Sequence, residues 1–566
     1  MGRTGVALGL SGPVQPCFKV AADVPGAGVL CAVPALVSNG LFHDVRERFV
    51  QPPGYYPLPS LFLLFAYLAL ARVKSLEQVR YLPPGEQGRL LGLDRIPEVR
   101  TLRHKLEVLA NTRATPDWAE ALSRFWMTSD KSLAGLLYVD GHVRAYHGAQ
   151  TELPRRYSSR DRLCLRSLMD YWVCDQKGSP FFVLTAVGTE GLLHHLRATI
   201  IPRLCQEVPG QPDEAALQAD PDLHRFTVVI DREGYSPTFF AELWRERRIA
   251  IQTYRRGEAE PWPLDDFREC GVPTVYGNET SMLLAERPVE FRGTEGVALR
   301  EIRRLSADRT HQTAILTTDR RTSAPLIAGH MFSRWAQENF FKYATRELAI
   351  DSLAGYEPMV APETETVRNP DYNRLDADLR RRRSERAALV AQNARLILLD
   401  TTPEAVKEHM HRLVDLKQHM DRRDSEMAEL RKQRSKTPRR IALKDLPEDQ
   451  RPKLISPLRT QFLNTIRIIA YRAETAMANV LRDQLCHADD ARNLLKDLFT
   501  HDADLIPNTQ AGTLTVKLHH FTNPQAGKAI AALLNHLNET ETVYPGTNLT
   551  LRYELVSSPF PVDQEV

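Results

Sequence analysis

The sequence predicts an α/β protein in which a central sheet is preceded and followed by helical regions. Apolar segments rich in β-branched residues fit buried strands, and they lie at 135–146, 180–188, 225–231 and 249–256. Helical patterns at 191–208 and 237–248 separate these strands, as expected of an α/β core. The 566 residues, 43% of them hydrophobic, allow two to four domains with sizeable cores.

Composition and periodicity divide the chain into seven segments. These are an unassigned N-terminal segment (1–41), a helical domain (42–130), the first part of the α/β core (131–256), a β-rich insertion (257–322), a helical segment closing the core (323–358), a charged helical arm with a basic linker (359–445), and a C-terminal helical region ending in a small β-α-β unit (446–566). We expect one helix over 323–353, in "SAPLIAGHMFSRWAQENFFKYATRELAIDSL".

Nothing in the sequence indicates a membrane or secreted protein. The most apolar run, "LFLLFAYLALA" at 61–71, is shorter than the ~20 residues that a membrane helix needs, so we expect a buried helix there. No basic stretch precedes an apolar one at the N-terminus, as a secretory signal would require. The seven cysteines form no CxxC pair, which favours free thiols in a reducing compartment. We therefore expect a cytoplasmic protein.

Positive charge is concentrated in one region, although the net charge is only +3. Residues 374–440 contain 18 Lys or Arg against 11 Asp or Glu. Within them, "RKQRSKTPRR" holds six basic residues: Arg431, Lys432, Arg434, Lys436, Arg439 and Arg440. Such a tract suits a phosphate backbone. The alternative is a solvated helix or linker.

Two apolar strands lead directly into an acid. "GLLYVDGHVRAYHG" reaches Asp140, and "RFTVVIDREGY" reaches Asp231. Ligand sites in α/β sheets gather at strand ends, and two neighbouring carboxylates need a cation to offset their repulsion. Because no Cys/His cluster is present, oxygen ligation indicates Mg²⁺ or Mn²⁺. The alternative is that each aspartate only caps a helix or favours a turn.

A third carboxylate is expected from the helix that follows the insertion. Glu338 lies in an apolar stretch and shares a helical face with Trp335, three residues earlier. We expect that face to point to the core, where an acid is unusual. Glu347 is the competing candidate, and its alternative role is that of a surface acid paired with Arg346.

In this order, the motifs resemble a known family. "YVDGHVRAYHG", "VIDREGY" and "RWAQENFFKY" are similar to motifs of the DDE transposases of bacterial insertion sequences, and the preceding "LLGLDRIPEVRTLRHKL" is similar to their helical N-terminal segment. The resemblance covers about residues 45–355. It is strongest with the group whose RNase H-like core carries a β-rich insertion between the second Asp and the Glu, since 91 and 107 residues separate the three acids here.

The resemblance implies a DNA transposase that cuts the ends of its element and joins the 3′-OH to target DNA. Two Mg²⁺ or Mn²⁺ ions would be held by Asp140, Asp231 and Glu338. The resemblance further implies a DNA-binding role for 42–130 and a homodimer on double-stranded DNA, in the bacterial cytoplasm at the nucleoid. Phosphate contacts are expected from Arg334, Lys342, Arg346 and the basic tract 431–440.

One departure from the family pattern concerns the last catalytic helix. The related group carries Tyr, Arg, Glu and Lys there, and only Arg334 and Glu338 keep their places. Met331 stands at the Tyr position and Thr345 at the Lys position. Lys342 or Arg346 could bind the phosphate instead.

Three alternative functions are considered. Haloacid-dehalogenase-like phosphatases need a second Asp two residues after the first, where this chain has His142. A catalytically inactive, transposase-derived DNA-binding protein and an RNase H-like nuclease without strand transfer remain alternatives.

The insertion contributes either DNA contacts or a scaffold, and its basic residues are Arg303, Arg304, Arg320 and Arg321.

Overall fold

The computed structural model describes most of the chain in two units. The described residues are 5–6, 12–110, 113–146, 153, 155–158, 162–186, 190–257, 259–274, 277–352, 358–360, 366–396, 402–447, 453–455 and 457–556. The first unit contains Met1–Gly148, Arg155–Glu357 and Ser456–Val566, and the second contains Ala149–Pro154 and Pro358–Ile455.

The helices, in chain order, are α1 (Val33–Ser38), α2 (Val45–Arg48), α3 (Leu58–Leu70), α4 (Pro84–Arg89), α5 (Val99–Ala110), α6 (Ala114–Ser129), α7 (Lys131–Ala134), α8 (Leu192–His195), α9 (Ile201–Glu207), α10 (Glu214–Ala219), α11 (Pro237–Arg247), α12 (Ala324–Phe332), α13 (Trp335–Glu347), α14 (Pro370–Ala394), α15 (Pro403–Lys436), α16 (Pro457–Arg482), α17 (Ala491–Thr500) and α18 (Pro524–Glu539). A π turn at Leu196–Ile200 joins α8 to α9.

The strands, in chain order, are β1 (Ala21–Val24), β2 (Leu136–Ala145), β3 (Arg155–Ser158), β4 (Leu163–Cys174), β5 (Pro180–Ala186), β6 (Thr227–Ile230), β7 (Ala250–Tyr254), β8 (Arg268–Pro273), β9 (Glu279–Val289), β10 (Leu299–Leu305), β11 (Gln312–Thr317), β12 (Pro358–Val360), β13 (Thr366–Arg368), β14 (Arg440–Ala442), β15 (Lys453–Ile455), β16 (Ala503–Asn508), β17 (Thr513–Leu518) and β18 (Thr550–Leu555). The predicted α/β class is confirmed.

The central sheet of the first unit is mixed. One half is antiparallel, with β4 between β2 and β5. The other half is parallel, with β6 between β2 and β7. The insertion is mostly β, as predicted, and it continues this sheet, because β11 pairs with β7 and is followed by β10, β9 and β8.

A second sheet joins the two ends of the chain. Its order is β1, β16, β17, β18. β17 and β18 are parallel and α18 lies between them in sequence, which confirms the predicted β-α-β unit. β1 comes from the segment that the sequence left unassigned, and it pairs with β16.

The core of the first unit continues from the N-terminal helices into α16. α3 is almost wholly buried, which confirms the buried helix expected at 61–71. Phe462 of α16 lies among Phe49, Phe62 and Trp118, with ring centroids 5.4–6.0 Å from its own. Aromatic groups of this size dominate core energetics, so the N-terminal helices and α16 share one core.

The second unit is built around a helical pair. α14 and α15 are linked by ion pairs, including Arg386–Asp424 at 2.6 Å and Arg382–Glu426 at 3.1 Å. In its described part, the buried apolar side chains of the two helices are Leu379 and Met427. The long helical arm predicted over 374–430 is therefore present as two helices.

The continuous helix expected over 323–353 is wrong, because α12 ends at Phe332 and α13 begins at Trp335. The hydroxyl of Tyr138 donates to the carbonyl of His330 at 2.8 Å, and that of Tyr254 donates to the carbonyl of Met331 at 3.3 Å. In an unbroken helix, these carbonyls would accept from the N–H groups four residues later. Side chains of β2 and β7 thus help to fix the joint between α12 and α13, which consists of Ser333 and Arg334.

A substitution at Gly178 tests how closely the turn containing this residue packs against α13. Gly178 has φ +82°, and a Cβ there would lie 2.6 Å from the carbonyl oxygen of Ala336. We expect Gly178→Ala to lower the free energy of unfolding by about 2–3 kcal/mol, from the left-handed backbone and the close approach together. The measurement is the urea-unfolding midpoint.

Gly210→Ala is the matched control, because Gly210 has φ +69° and no atom within 4 Å of its Cβ position. It should cost about 1 kcal/mol. Equal destabilisation of the two variants would mean that the close approach to α13 has no role.

Candidate active site

Asp140 and Asp231 lie side by side at the sheet. Parallel pairing of β2 and β6 ends with Val139 opposite Ile230, and the two aspartates are the next residues on each strand. Asp231 follows β6 directly, as expected. Asp140 does not end its strand, since β2 continues to Ala145 against β4. Asp140 is the first residue of β2 beyond the stretch that pairs with β6.

Arg334 lies between the two aspartates. Its Nη1 is 3.1 Å from Asp231 Oδ1, and its Nη2 is 3.5 Å from Asp140 Oδ2. The side chain of Arg334 is only 11% exposed, whereas those of Asp140 and Asp231 are 22% and 45% exposed. The joint between α12 and α13 places Arg334 here, so one cation bridges both carboxylates.

Burial raises the pKa of Asp140 to about 6. Arg334 opposes this shift, as does the Gly141 N–H, which donates to Asp140 Oδ1 at 2.8 Å. The negative charges of Asp231 and Glu233 add to the increase. A carboxylate with this environment gains from a nearby cation.

Glu338 lies on the exposed face of α13, with Trp335, so the expectation of a core-facing acid is wrong. Gln337 is the polar residue of α13 that faces the sheet. Its Nε2 lies 3.5 Å from the carbonyl oxygens of Tyr138 and Trp172. A polar side chain can occupy the buried face here because strand carbonyls accept from it.

The role of Glu338 as the third carboxylate stays a prediction. It lies in the first turn of α13, four residues after the N-cap residue Arg334. Across the described residues, one group of three acid or imidazole ligands lies within 4.8 Å of one another, and it consists of Asp23, Asp504 and His519.

Glu347, the competing candidate, is held by three cations. It is 8% exposed, so the expectation of a surface acid is wrong, but its pair with Arg346 is confirmed at 2.7 Å. Arg72 and Lys496 approach its other oxygen at 3.4 and 3.5 Å. These contacts assign Glu347 a structural role.

The predicted phosphate-binding residues of α13 lie on its exposed face. Lys342 and Arg346 follow Glu338 at intervals of four residues, and both are exposed. Side chains with this spacing form one row along a helix. The face therefore presents one acid and two cations beyond Arg334.

In the basic tract, residues 431–436 form the end of α15 rather than a linker. Arg434 is paired with Asp376 at 2.6 Å. Arg440 is in β14, and the exposed members are Arg431, Lys432, Lys436 and Arg439.

Each insertion arginine considered for DNA contact has a partner within the fold. Arg303, Arg320 and Arg321 form ion pairs. The guanidinium of Arg304 lies 4.6 Å from the ring centre of Phe332. These contacts favour the scaffold role of the insertion.

Sequence reasoning missed a polar group beside Asp140. Glu233 lies in a 3₁₀ turn two residues after Asp231, and the Tyr171 hydroxyl is 3.5 Å from its Oε1. The His195 ring centre lies 5.2 Å from that of Tyr171. The sequence signal that could have indicated this group was the acid Glu233 in "IDREG", two residues after Asp231. Tyr171 gave no such signal, because only the pairing of β4 with β2 brings it close to the site.

The comparisons with known proteins give a family. The model of the family described as "Transposase protein" matches residues 2–557, which is nearly the whole chain. The chain therefore belongs to this family of transposases, which are DNA-acting enzymes. No curated protein and no solved structure matches it. Among the described helices, none is long and apolar enough to span a membrane.

The raised pKa of Asp140 predicts a pH-dependent stability. Its folded value of about 6 exceeds the usual 3.8, so the stabilising contribution of protonation is fully present below about pH 4 and is lost as the pH rises through 6. We expect Asp140→Asn to be more stable than wild type above pH 6, by about 2–3 kcal/mol, and equal to it below pH 4. Thermal unfolding across this range measures the difference.

Asp308→Asn is the control of opposite sign, because the hydroxyls of Ser306 and Thr310 lower the pKa of Asp308 to about 2. It should lose stability above about pH 4. A constant difference in stability between Asp140→Asn and wild type at every pH would contradict the raised pKa of Asp140.

Proposed function

We propose that this transposase is of the DDE type, from a bacterial insertion sequence, and that it acts on DNA in the cytoplasm. It cuts the ends of its element and joins each freed 3′-OH to target DNA. The observation that carries the proposal is the pair of aspartates on neighbouring parallel strands, bridged by Arg334. The order β5, β4, β2, β6, β7, with antiparallel pairs up to β2 and parallel pairs from β2 to β7, supports the RNase H-like core that the motifs imply.

The donor set fits divalent cations that prefer oxygen ligands. Asp140 and Asp231 offer carboxylate oxygens only, as Mg²⁺ or Mn²⁺ requires. Arg334 stands where a cation is needed, since it contacts an oxygen of each aspartate. Two such ions, held by these residues and by Glu338, would supply an activated water and stabilise the leaving 3′ oxygen.

The protein residues position the DNA for in-line displacement at phosphorus. Asp140 and Asp231 are fixed by the sheet, so their separation does not depend on loops. Lys342 and Arg346 on the exposed row of α13 would bind phosphates on either side of the scissile bond. Glu338 lies in the same row, so DNA bound along this row would place its backbone beside Glu338.

The triad is tested by single substitutions in the full chain. We expect Asp140→Asn, Asp231→Asn and Glu338→Gln each to lower the rate of DNA end cleavage by about a thousandfold, equivalent to ~4 kcal/mol of barrier. The assay uses linear duplex DNA with the element's own ends and Mg²⁺. Asp497→Asn, at an exposed acid of α17, is the control and should keep wild-type activity.

Glu233→Gln decides which glutamate completes the site. Activity that survives Glu338→Gln but is lost in Glu233→Gln would move the third ligand to Glu233. Unchanged cleavage by both aspartate variants would contradict the DDE proposal. DNA binding by wild type without cleavage would support the inactive DNA-binding alternative.

The basic tract is tested by the salt dependence of DNA binding. We expect Ala at Arg431, Lys432, Lys436, Arg439 and Arg440 to weaken binding equally for all sequences. The slope of log K against log salt should flatten by about 0.9 for each phosphate that the variant no longer neutralises. Arg434 is left in place because its pair with Asp376 supports the helical arm.

Lys407→Ala with Lys417→Ala is the control, at exposed lysines earlier in α15. It should leave the slope unchanged. An equal slope for wild type and the five-residue variant would make the tract a solvated helix end.

A further inference from the structure

Arg334 occupies the space that the proposed metal ions need. Its two terminal nitrogens contact one oxygen of each aspartate, at 3.1 and 3.5 Å. These oxygens are also the ligands that a divalent ion would take. A carboxylate paired with a guanidinium has less negative charge to offer a second cation, and the two cations repel. Arg334 and a divalent ion therefore compete.

The backbone at Arg334 is fixed, but its guanidinium is only partly satisfied. The carbonyls of His330 and Met331 accept from tyrosine hydroxyls of the sheet, and Gln337 faces strand carbonyls one turn later. By contrast, Arg334 Nε is buried and has no hydrogen-bond partner among the described residues. A movement of Arg334 is thus confined to its side chain.

A DNA phosphate offers Arg334 a better partner than the aspartates do. Guanidinium and phosphate form two parallel charge-assisted hydrogen bonds. At the aspartates, Arg334 instead has one contact to each of two separate groups, and the longer is 3.5 Å. A phosphate beside α13 would draw the guanidinium away and leave both carboxylates free.

We propose that Arg334 is a displaceable counter-charge that lowers the affinity of the DNA-free protein for divalent cations. DNA phosphate takes the guanidinium and releases Asp140 and Asp231 for the metal. Binding of DNA and of metal is then cooperative, and by linkage each strengthens the other by the same factor. This inference rests on the proposed function, and it adds that the site is blocked until DNA arrives.

The test measures Mn²⁺ binding to the full chain by the electron paramagnetic resonance signal of free Mn²⁺. Without DNA, we expect Arg334→Gln to bind Mn²⁺ at least tenfold more tightly than wild type. Arg334→Lys keeps the charge and should stay within about threefold of wild type. Adding a 30-base-pair duplex should tighten Mn²⁺ binding by wild type at least tenfold and leave Arg334→Gln nearly unchanged.

Arg320→Gln is the control, because Arg320 is paired with Asp222 and contacts neither site aspartate. Combining Arg334→Gln with Asp140→Asn identifies the site, since the added affinity should disappear. Equal Mn²⁺ affinity of wild type and Arg334→Gln overturns the counter-charge. In that case, loss of Mn²⁺ binding by the DNA-bound Asp140→Asn variant would show that the proposed metal site is correct and that only the counter-charge role of Arg334 is wrong. If Asp140→Asn changes binding in neither state, both proposals fail.

Discussion

The parallel pairing of β2 with β6 sets Val139 opposite Ile230 and so brings Asp140 and Asp231 together. The paired parts of both strands are buried on both faces, so a shift of one residue would exchange the side chains that pack in the two cores on either side of the sheet. The register is therefore set by the core. The position of the two carboxylates follows from the same packing, which lets a rigid sheet hold like charges close together.

The second requirement is a fixed position for Arg334 and the start of α13. Tyr138 and Tyr254 reach across from the sheet to the last carbonyls of α12. Further along α13, the Tyr343 hydroxyl accepts from Arg72 at 2.8 Å, and Arg72 also pairs with buried Glu474 at 2.7 Å. Contacts at both parts of the helix tie the candidate site to α16 and to the end of α3.

The sequence was informative where the local composition alone determines the structure. Apolar strands ending near acids predicted the position of Asp231, and the all-apolar run at 61–71 predicted a buried helix. The break in 323–353 left no local signal, because the groups that fix it are tyrosines about 190 and 80 residues away in the chain. The burial pattern of α13 was misread for a similar reason, since only the sheet carbonyls explain why Gln337 faces inward and Glu338 outward.

β4 and β1 were not predicted either. Both strand faces of β4 are largely buried, which removes the alternation that identifies a half-exposed strand. β1 has four residues and gains its partner, β16, from the other end of the chain. In both cases the structure depends on contacts distant in sequence, which local periodicity does not contain.

The central claim, a divalent metal site at Asp140 and Asp231, is tested most directly by locating a bound ion along the chain. Fe²⁺ replaces Mg²⁺ in oxygen-ligand sites, and with ascorbate and hydrogen peroxide it generates radicals that cut the polypeptide nearby. For the DNA-bound protein, the account predicts fragments ending near residues 140 and 231, and excess Mg²⁺ should suppress them. Cuts confined to the neighbourhood of Asp23, Asp504 and His519 would contradict it.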